Sequence, residues 1–417
     1  MKKNILLLII LANLIFNQKI LIPMDEDQNN HLKAYGVAFW ALKNNINVDW
    51  LLNFKGGSFI INNTKNIHQE CTLKGVSFIN INGQEFNNIL QTIEENNMNI
   101  VLLEKLPKIA VYSPPGKQPW DDAVTLALAY AEIDYTVIFD DEVITNKLNN
   151  YDWLHLHHED FTGQYGKFYK NYRNTQWYKE MELNFGNTAR KHGFQSVHQL
   201  KKAVALKIKN YINSGGFLFA MCSATDSFDI ALAAHKVDIA ASVFDGTPID
   251  NNYESKLDFS NGIAFENYTL YTQPMIYEYS NIDFPPSHMP TTRGAEADYF
   301  TLFEFSAKWD PVPTMLTQNH TSIINGFMGQ TTGFNKNTVK DYVLVLGEDP
   351  ASDLIKYIHG NVGKGTFTFL GGHDPEDYRH YVGDPKTDLS IHKNSPGYRL
   401  ILNNVLFPAA KKKKKKT

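Results

Sequence analysis

The sequence predicts a mixed α/β fold built on a mostly parallel sheet with helices over both faces. Three observations lead there. Short apolar runs such as Phe217 to Met221 and Tyr342 to Leu346 read as buried strands, because a sheet covered on both sides has no polar face. Stretches of helical length separate several of these runs, and their apolar residues recur at helical spacing, so strand and helix alternate along the chain. The 417 residues, 43% hydrophobic and 20% charged, have an ordinary globular composition and are enough for a large core.

Lys19 to Met24 is the first apolar run, and a helix follows Asp25, since Leu32, Tyr35, Phe39 and Leu42 share one stripe. Val48 to Leu52 resumes as strand, which makes the opening β-α-β. Gly56 and Gly57 turn the chain into Ser58 to Ile61, and the asparagine-rich stretch 62–99 carries no clear period. A second unit begins with the strand in Lys108 to Ser113, breaks at Pro114-Pro115-Gly116, and enters a helix near Asp121, whose carboxylate suits a helix N-terminus. Tyr135 to Phe139 and Asp152 to Leu156 are the next strands, followed by an aromatic and polar insertion over about 161–195. Ser196 and Gln199 have capping-box spacing before a helix whose inner face is Leu200, Val204 and Ile208; Gly215-Gly216 stops it. Phe217 to Met221 is strand and Ser223 to Ala234 helix. From about 245 to 340, short aromatic and β-branched runs between turn residues predict a β-rich insertion, and Tyr342 to Leu346 and Thr366 to Leu370 return to buried strand. One α/β domain over 18–410 with these two insertions accounts for the pattern.

Met1 to Asn17 sets two lysines before an apolar stretch from Ile5 to Phe16, the lay-out of a secretory signal and too short to span a bilayer. The expectation is an exported protein, in the periplasm or envelope, with a cytoplasmic protein as the alternative. The formal charge is −4, and it falls to −10 (34 basic against 44 acidic groups) once the six lysines at 411–416 are set aside. An acidic body argues against nucleic acid as a partner, whose phosphates need clustered cations. The lysine tail, 411–417, suits weak contact with an anionic membrane surface, at ~1 kcal/mol per charge, or free solvation. Cys71 and Cys222 are too few for a disulfide framework, and neither lies in a CxxC pair.

Cys222 is the sharpest chemical candidate. It ends an apolar strand, stands in a turn of small residues, and precedes a helix with Asp226 in its first turn; a helix N-terminus there would lower the thiol's pKa toward the reactive thiolate. A cysteine filling space at a strand end is the plain alternative. A second strand empties into Gly371-Gly-His-Asp-Pro-Glu-Asp377, where His373 could serve as base, oriented by Glu376 or Asp374. These acids beside one histidine also permit a metal, but without H-E-x-x-H or comparable spacing none is expected, nor is any cofactor, since phosphate-loop motifs are missing. His157, His158 and Glu159 close the strand Asp152 to Leu156 and make a contact site for a small-molecule substrate, with Asp226 and Asp374 as further substrate contacts.

The stretches Gly215 to Asp226 and Gly363 to Asp374 resemble the two signature segments of the trehalose-utilisation (ThuA-like) proteins, within the class I glutamine amidotransferase-like superfamily. That resemblance implies a flavodoxin-like, doubly wound sheet with its site around the turn after Met221. It implies either a Cys-dependent hydrolase or amidase acting on a small amide or ester, or a non-catalytic or sugar-processing binding protein. The superfamily's nucleophile stands between glycines and pairs with His-x-Glu, whereas here Ala220 and Ala224 flank the turn and His373 to Glu376 is one residue longer. The whole chain is also similar to a bacterial group labelled asparagine synthetase B. Its motifs do not support that activity: no cysteine follows Met1, and no S-G-G-x-D-S loop occurs.

Overall fold

The computed structural model describes residues 18–411 except 117, 287–293, 311–313 and 380, so the signal-like segment 1–17 and nearly all of the lysine tail lie outside the described residues. Two sheets carry the strands. The first has five: β1 (Lys19–Ile22), β2 (Val48–Leu52), β3 (Ser58–Asn62), β4 (Ile79–Ile81) and β5 (Asn99–Leu103), in the order β4-β1-β3-β2-β5 with every pair antiparallel. The β-α-β opening is therefore corrected. The helix His31–Lys43 and both strands are there, but β3 lies between β1 and β2. Gly56 and Gly57 adopt φ +71° and +85°, and so short a connection returns the chain antiparallel beside β2.

The asparagine-rich stretch holds two helices, Lys65–Lys74 and Gly83–Glu95, each begun by a side-chain cap: Thr64 accepts from Ile67 N, and Asn82 forms a capping box with Glu85. Only Ile67, Cys71 and Lys74 are buried in the first and only Ile93 in the second, so their apolar stripes are too thin to show as a period.

The second sheet has ten strands. β6 (Ile109–Tyr112), β7 (Thr136–Ile138), β8 (Trp153–Leu156) and β9 (Phe217–Met221) come first. β10 (Tyr299–Leu302), β11 (Ile323–Asn325), β12 (Phe334–Asn335), β13 (Leu344–Glu348), β14 (Leu354–Val362) and β15 (Gly365–Leu370) complete it. The order is β11-β10-β13-β14-β15-β9-β8-β6-β7, with β12 on β14; the half from β7 to β15 is parallel and the rest antiparallel. The stretch 245–340 contributes three short strands among loops and 3-10 turns, less strand than its composition predicts. The stretch 161–195 contributes the helix Gln176–Lys191.

Alternation along β9 fixes the layers. Phe217, Phe219 and Met221 join one core with the helices His31–Lys43, Ala123–Ala131 and Pro396–Leu406, while Leu218 and Ala220 join another with Val197–Asn213 and Ser223–Ala233. The first of these cores also takes in Ile20, Ile22 and Trp50 of the five-stranded sheet, so the two sheets share it. No helix among the described residues is long and apolar enough to cross a membrane.

Candidate functional site

Parallel register brings three strand ends level. Leu156 pairs with Ala220, and Leu370 pairs with Met221, so His157, Cys222 and Gly371 leave the sheet side by side. In open α/β sheets ligands bind outside these carboxyl ends. Cys222 sits at the N-cap of the helix Ser223–Ala233 with φ +51° and ψ −143°, a conformation that costs a non-glycine residue ~1–3 kcal/mol. The Ala224 N–H donates to the His157 carbonyl at 2.9 Å, fastening this turn to the end of β8. Gly372, at φ +92°, lets the neighbouring loop approach: a Cβ there would lie 2.6 Å from the Phe327 carbonyl oxygen.

Three imidazoles gather beside the thiol. The His157 and His158 rings stack with centroids 3.9 Å apart, and His373 lies 4.8 Å from the first and 4.4 Å from the second. Ring nitrogens of His157 and His158 and Sγ of Cys222 all lie within 4.8 Å of one another. His158 Nε2 donates to the Asp121 carbonyl at 3.0 Å, and His157 Nδ1 faces Asp122 Oδ2 at 3.3 Å. The Asp121 carbonyl is an acceptor, which makes Nε2 the protonated nitrogen of His158. Both ring nitrogens of His157 are buried with no hydrogen-bond partner among the described residues. His155 also donates to Asp122 Oδ2, at 3.1 Å, and its Nδ1 faces the Phe219 carbonyl at 3.3 Å.

Charge follows from these contacts. Burial works to raise the Asp122 carboxyl, but His155 and His157 beside it together hold it well below the usual carboxylate range. At Cys222 burial wins: the thiol is pushed up to about 11, although the peptide N–H groups of Gln330, Ser223 and Thr331 point at the sulfur and pull the other way. The lowered thiol pKa expected from the helix N-terminus is thus reversed, because Cys222 is only 2% exposed and desolvation disfavours its thiolate.

The loop carrying those N–H groups is fixed from several sides. Thr331 Oγ1 donates to Asp226 Oδ1 at 2.9 Å, Thr332 N to Asp283 Oδ1 at 3.0 Å, and Gln330 Nε2 to the Gly166 and Tyr277 carbonyls at 2.8 and 3.0 Å. Lys356 Nζ donates to the Phe327 and Thr332 carbonyls.

A cavity of about 510 Å³ opens at this cluster. Trp120, Phe168, Tyr172 and Tyr277 give it aromatic walls; Cys222, His158, His373 and Arg379 supply its reactive and charged groups, with no carboxylate among the described lining residues. Its size and mixed lining suit a small organic ligand.

The expected site residues fare differently. Cys222, His158 and His373 line the same cavity, with His157 behind them. Glu376 directs its carboxylate to His392 Nδ1 at 3.0 Å, and Asp374 accepts from Thr387 Oγ1 at 2.7 Å and from the Glu376 N–H at 2.9 Å, so both acids organise their own loop. Asp226 is fully buried and ties its helix to Thr331; burial pushes it up to about 7. Burial also pushes Glu159 up to about 8, Lys201 opposing this and nearby carboxylates adding to it. The acid that backs the imidazoles is Asp122, which also caps the helix Ala123–Ala131 by accepting from Thr125 N at 2.9 Å, one position beyond the predicted Asp121. Its cap position was visible in the sequence; its contact with β8 was not. Gln330 and Thr331 carry no motif at all.

His157, His158 and Cys222 form one set of donors close enough to share a metal ion, and Asp122, His155 and His157 form another. No protein-family model matches the chain, and no curated protein matches it significantly. Among solved structures it is similar to a cytoplasmic protein of Salmonella typhimurium (10% identity, TM-score 0.33, covering 72% of this chain and 98% of that one). A second cytoplasmic protein, from Salmonella typhimurium LT2, is similar at 12% identity and TM-score 0.34, covering 73% of this chain and all of that one (100%). A β-galactosidase from Bacillus circulans sp. alkalophilus is similar at 9% identity and TM-score 0.23, over 63% of this chain and 28% of that one.

Proposed function

We propose that the protein is a cysteine-dependent hydrolase of small amides or esters, built on a flavodoxin-like, doubly wound core of the glutamine amidotransferase-like, trehalose-utilisation kind. In chain order the parallel strands lie 2-1-3-4-5, the flavodoxin-like order, and the imidazole cluster sits beyond β8, where that order reverses. One observation carries the chemistry: a buried cysteine in a strained strand-to-helix turn, within 4.8 Å of an imidazole whose Nδ1 lies 3.3 Å from a carboxylate.

His157 takes the proton from Cys222, and Asp122 stabilises the imidazolium that results. Sγ attacks the carbonyl carbon, forming a C–S bond. The peptide N–H groups of Ser223 and Gln330 hold the oxyanion. His157 then returns the proton to the departing amine or alcohol as its bond to the acyl carbon breaks, and next deprotonates the water that cleaves the thioester. Imidazolium formation offsets the raised thiol, since the ion pair is made only in the presence of its partner. His373, packed on both rings, orients them and faces substrate.

Activity-based thiol labelling of the full chain, with peptide mapping, tests this. Cys222 is expected to carry the adduct at neutral pH, and Cys222→Ala to lose both adduct and turnover; unchanged turnover would refute the proposal. A second reading, a binding protein using the same cavity, draws on the thiol's position near 11. It predicts ligand-dependent thermal stabilisation that survives Cys222→Ala. Export belongs to the same proposal, and a reporter fused after Asn30 that stays in the cytoplasm would end it.

A further inference from the structure

We infer that His157, His158 and Cys222 form a binding site for one zinc-class divalent ion. The donors are two imidazoles and a sulfur, a set that suits zinc and soft transition metals and not magnesium or calcium. Their ligand atoms already lie within 4.8 Å of one another. In a tetrahedral zinc centre with bonds of about 2.0 to 2.3 Å they would stand roughly 3.3 to 3.6 Å apart, so a shift of about an ångström closes the site.

The second, independent observation lies behind the rings. Metal-bound histidines hand their other N–H to a carboxylate or a backbone carbonyl. His158 Nε2 donates to the Asp121 carbonyl at 3.0 Å, and His157, 2% exposed, has Asp122 Oδ2 3.3 Å from Nδ1 while neither of its ring nitrogens makes a hydrogen bond among the described residues. Metal takes the thiolate, so one proton leaves Cys222 for solvent as the S–metal bond forms.

The site goes beyond the hydrolase reading and does not need it. A metal-bound sulfur cannot attack a carbonyl, so the ion and the nucleophile compete for one atom. The prediction is a hydrolase silenced by its own metal site.

The test uses the full chain, stripped with chelator and reduced, then titrated with Co²⁺ and Zn²⁺ alone. One equivalent of Co²⁺ is expected to give tetrahedral d–d absorption with a thiolate charge-transfer band, and Zn²⁺ is expected to displace it. Zn²⁺ should slow iodoacetamide labelling of Cys222 in the unmodified protein by tenfold or more. Asp122→Asn should weaken binding by about 10- to 100-fold through the ring it supports. Cobalt binding without a thiolate band, or full labelling of Cys222 in saturating Zn²⁺, overturns the site, whether or not any variant folds. Loss of turnover on adding Zn²⁺ supports the site and agrees with the hydrolase proposal. Zinc-activated turnover keeps the site and refutes the thiol nucleophile, so the two ideas fail separately.

Discussion

Among the described residues two pairs of histidines stack, and their neighbours have opposite charge. His31 and His320 stack at 4.3 Å beside the five-stranded sheet, next to the buried guanidinium of Arg399, which donates to His320 Nδ1 at 3.0 Å. His157 and His158 stack at 3.9 Å beyond the parallel strands, next to the carboxylate of Asp122. In the first pair burial, then Arg399, drives His31 down to about 4 and His320 to about 3, so both stay neutral at neutral pH. In the second, the charged neighbour is the Asp122 carboxylate, 3.3 Å from His157 Nδ1. The same stack thus lies beside a cation in one place and beside an anion in the other.

The sharpest way to break this contrast is to neutralise Asp122. Asp122→Asn keeps the helix cap, since asparagine caps as well, but should lower kcat on the order of 10⁴-fold and, by losing the depressed carboxylate, also lower the unfolding midpoint. A loss under tenfold in steady-state kinetics would mean that Asp122 does not serve His157.

The cation side should respond in stability. Arg399 also donates to the Met24 and Gly56 carbonyls at 2.9 and 2.8 Å. Arg399→Met orphans these buried acceptors and should cost about 3 kcal/mol or more in urea unfolding, while turnover of the folded fraction stays the same. An Arg399→Met protein as stable as the parent would remove the structural half of the contrast.

Titration sharpens the contrast further. The unfolded chain protonates His31 near 6.5 and the folded chain only near 4. The stability held by the neutral ring is therefore complete above about pH 6.5 and lost as pH falls toward 4, by about 3 kcal/mol for this residue. Unfolding free energies measured at pH 7, 5.5 and 4 should fall in that order, and the fall should shrink in His31→Gln. The smallest effect expected is for His320→Phe, which keeps the stack and loses one acceptor for Arg399, at about 1 kcal/mol.

How far the sequence could be read depended on what kind of contact mattered. β9 and the helix Ser223–Ala233 were legible because their apolar period is strong and local. Cys222 stood out for the same reason. β14, nine residues long and almost wholly buried, was passed over, since Lys356, His359 and Gly360 interrupt its apolar run. In the fold, Lys356 is hydrogen-bonded to two carbonyls and His359 to Thr368. Nearness in sequence points to Glu376 or Asp374 as the acid beside His373, whereas the carboxylate at the cluster is Asp122, which reaches His157, a different ring, because β6 and β8 are parallel neighbours. Spacing rules for metal ligands look within one stretch, whereas the donors proposed here come from two strand ends.

The backbone at Cys222 sets evolution a choice. At φ +51° and ψ −143° a glycine would rest more easily than any residue with a Cβ. A lineage released from the need for a thiol should drift toward glycine here and gain thermal tolerance, while one that keeps the sulfur gives up that gain in every generation.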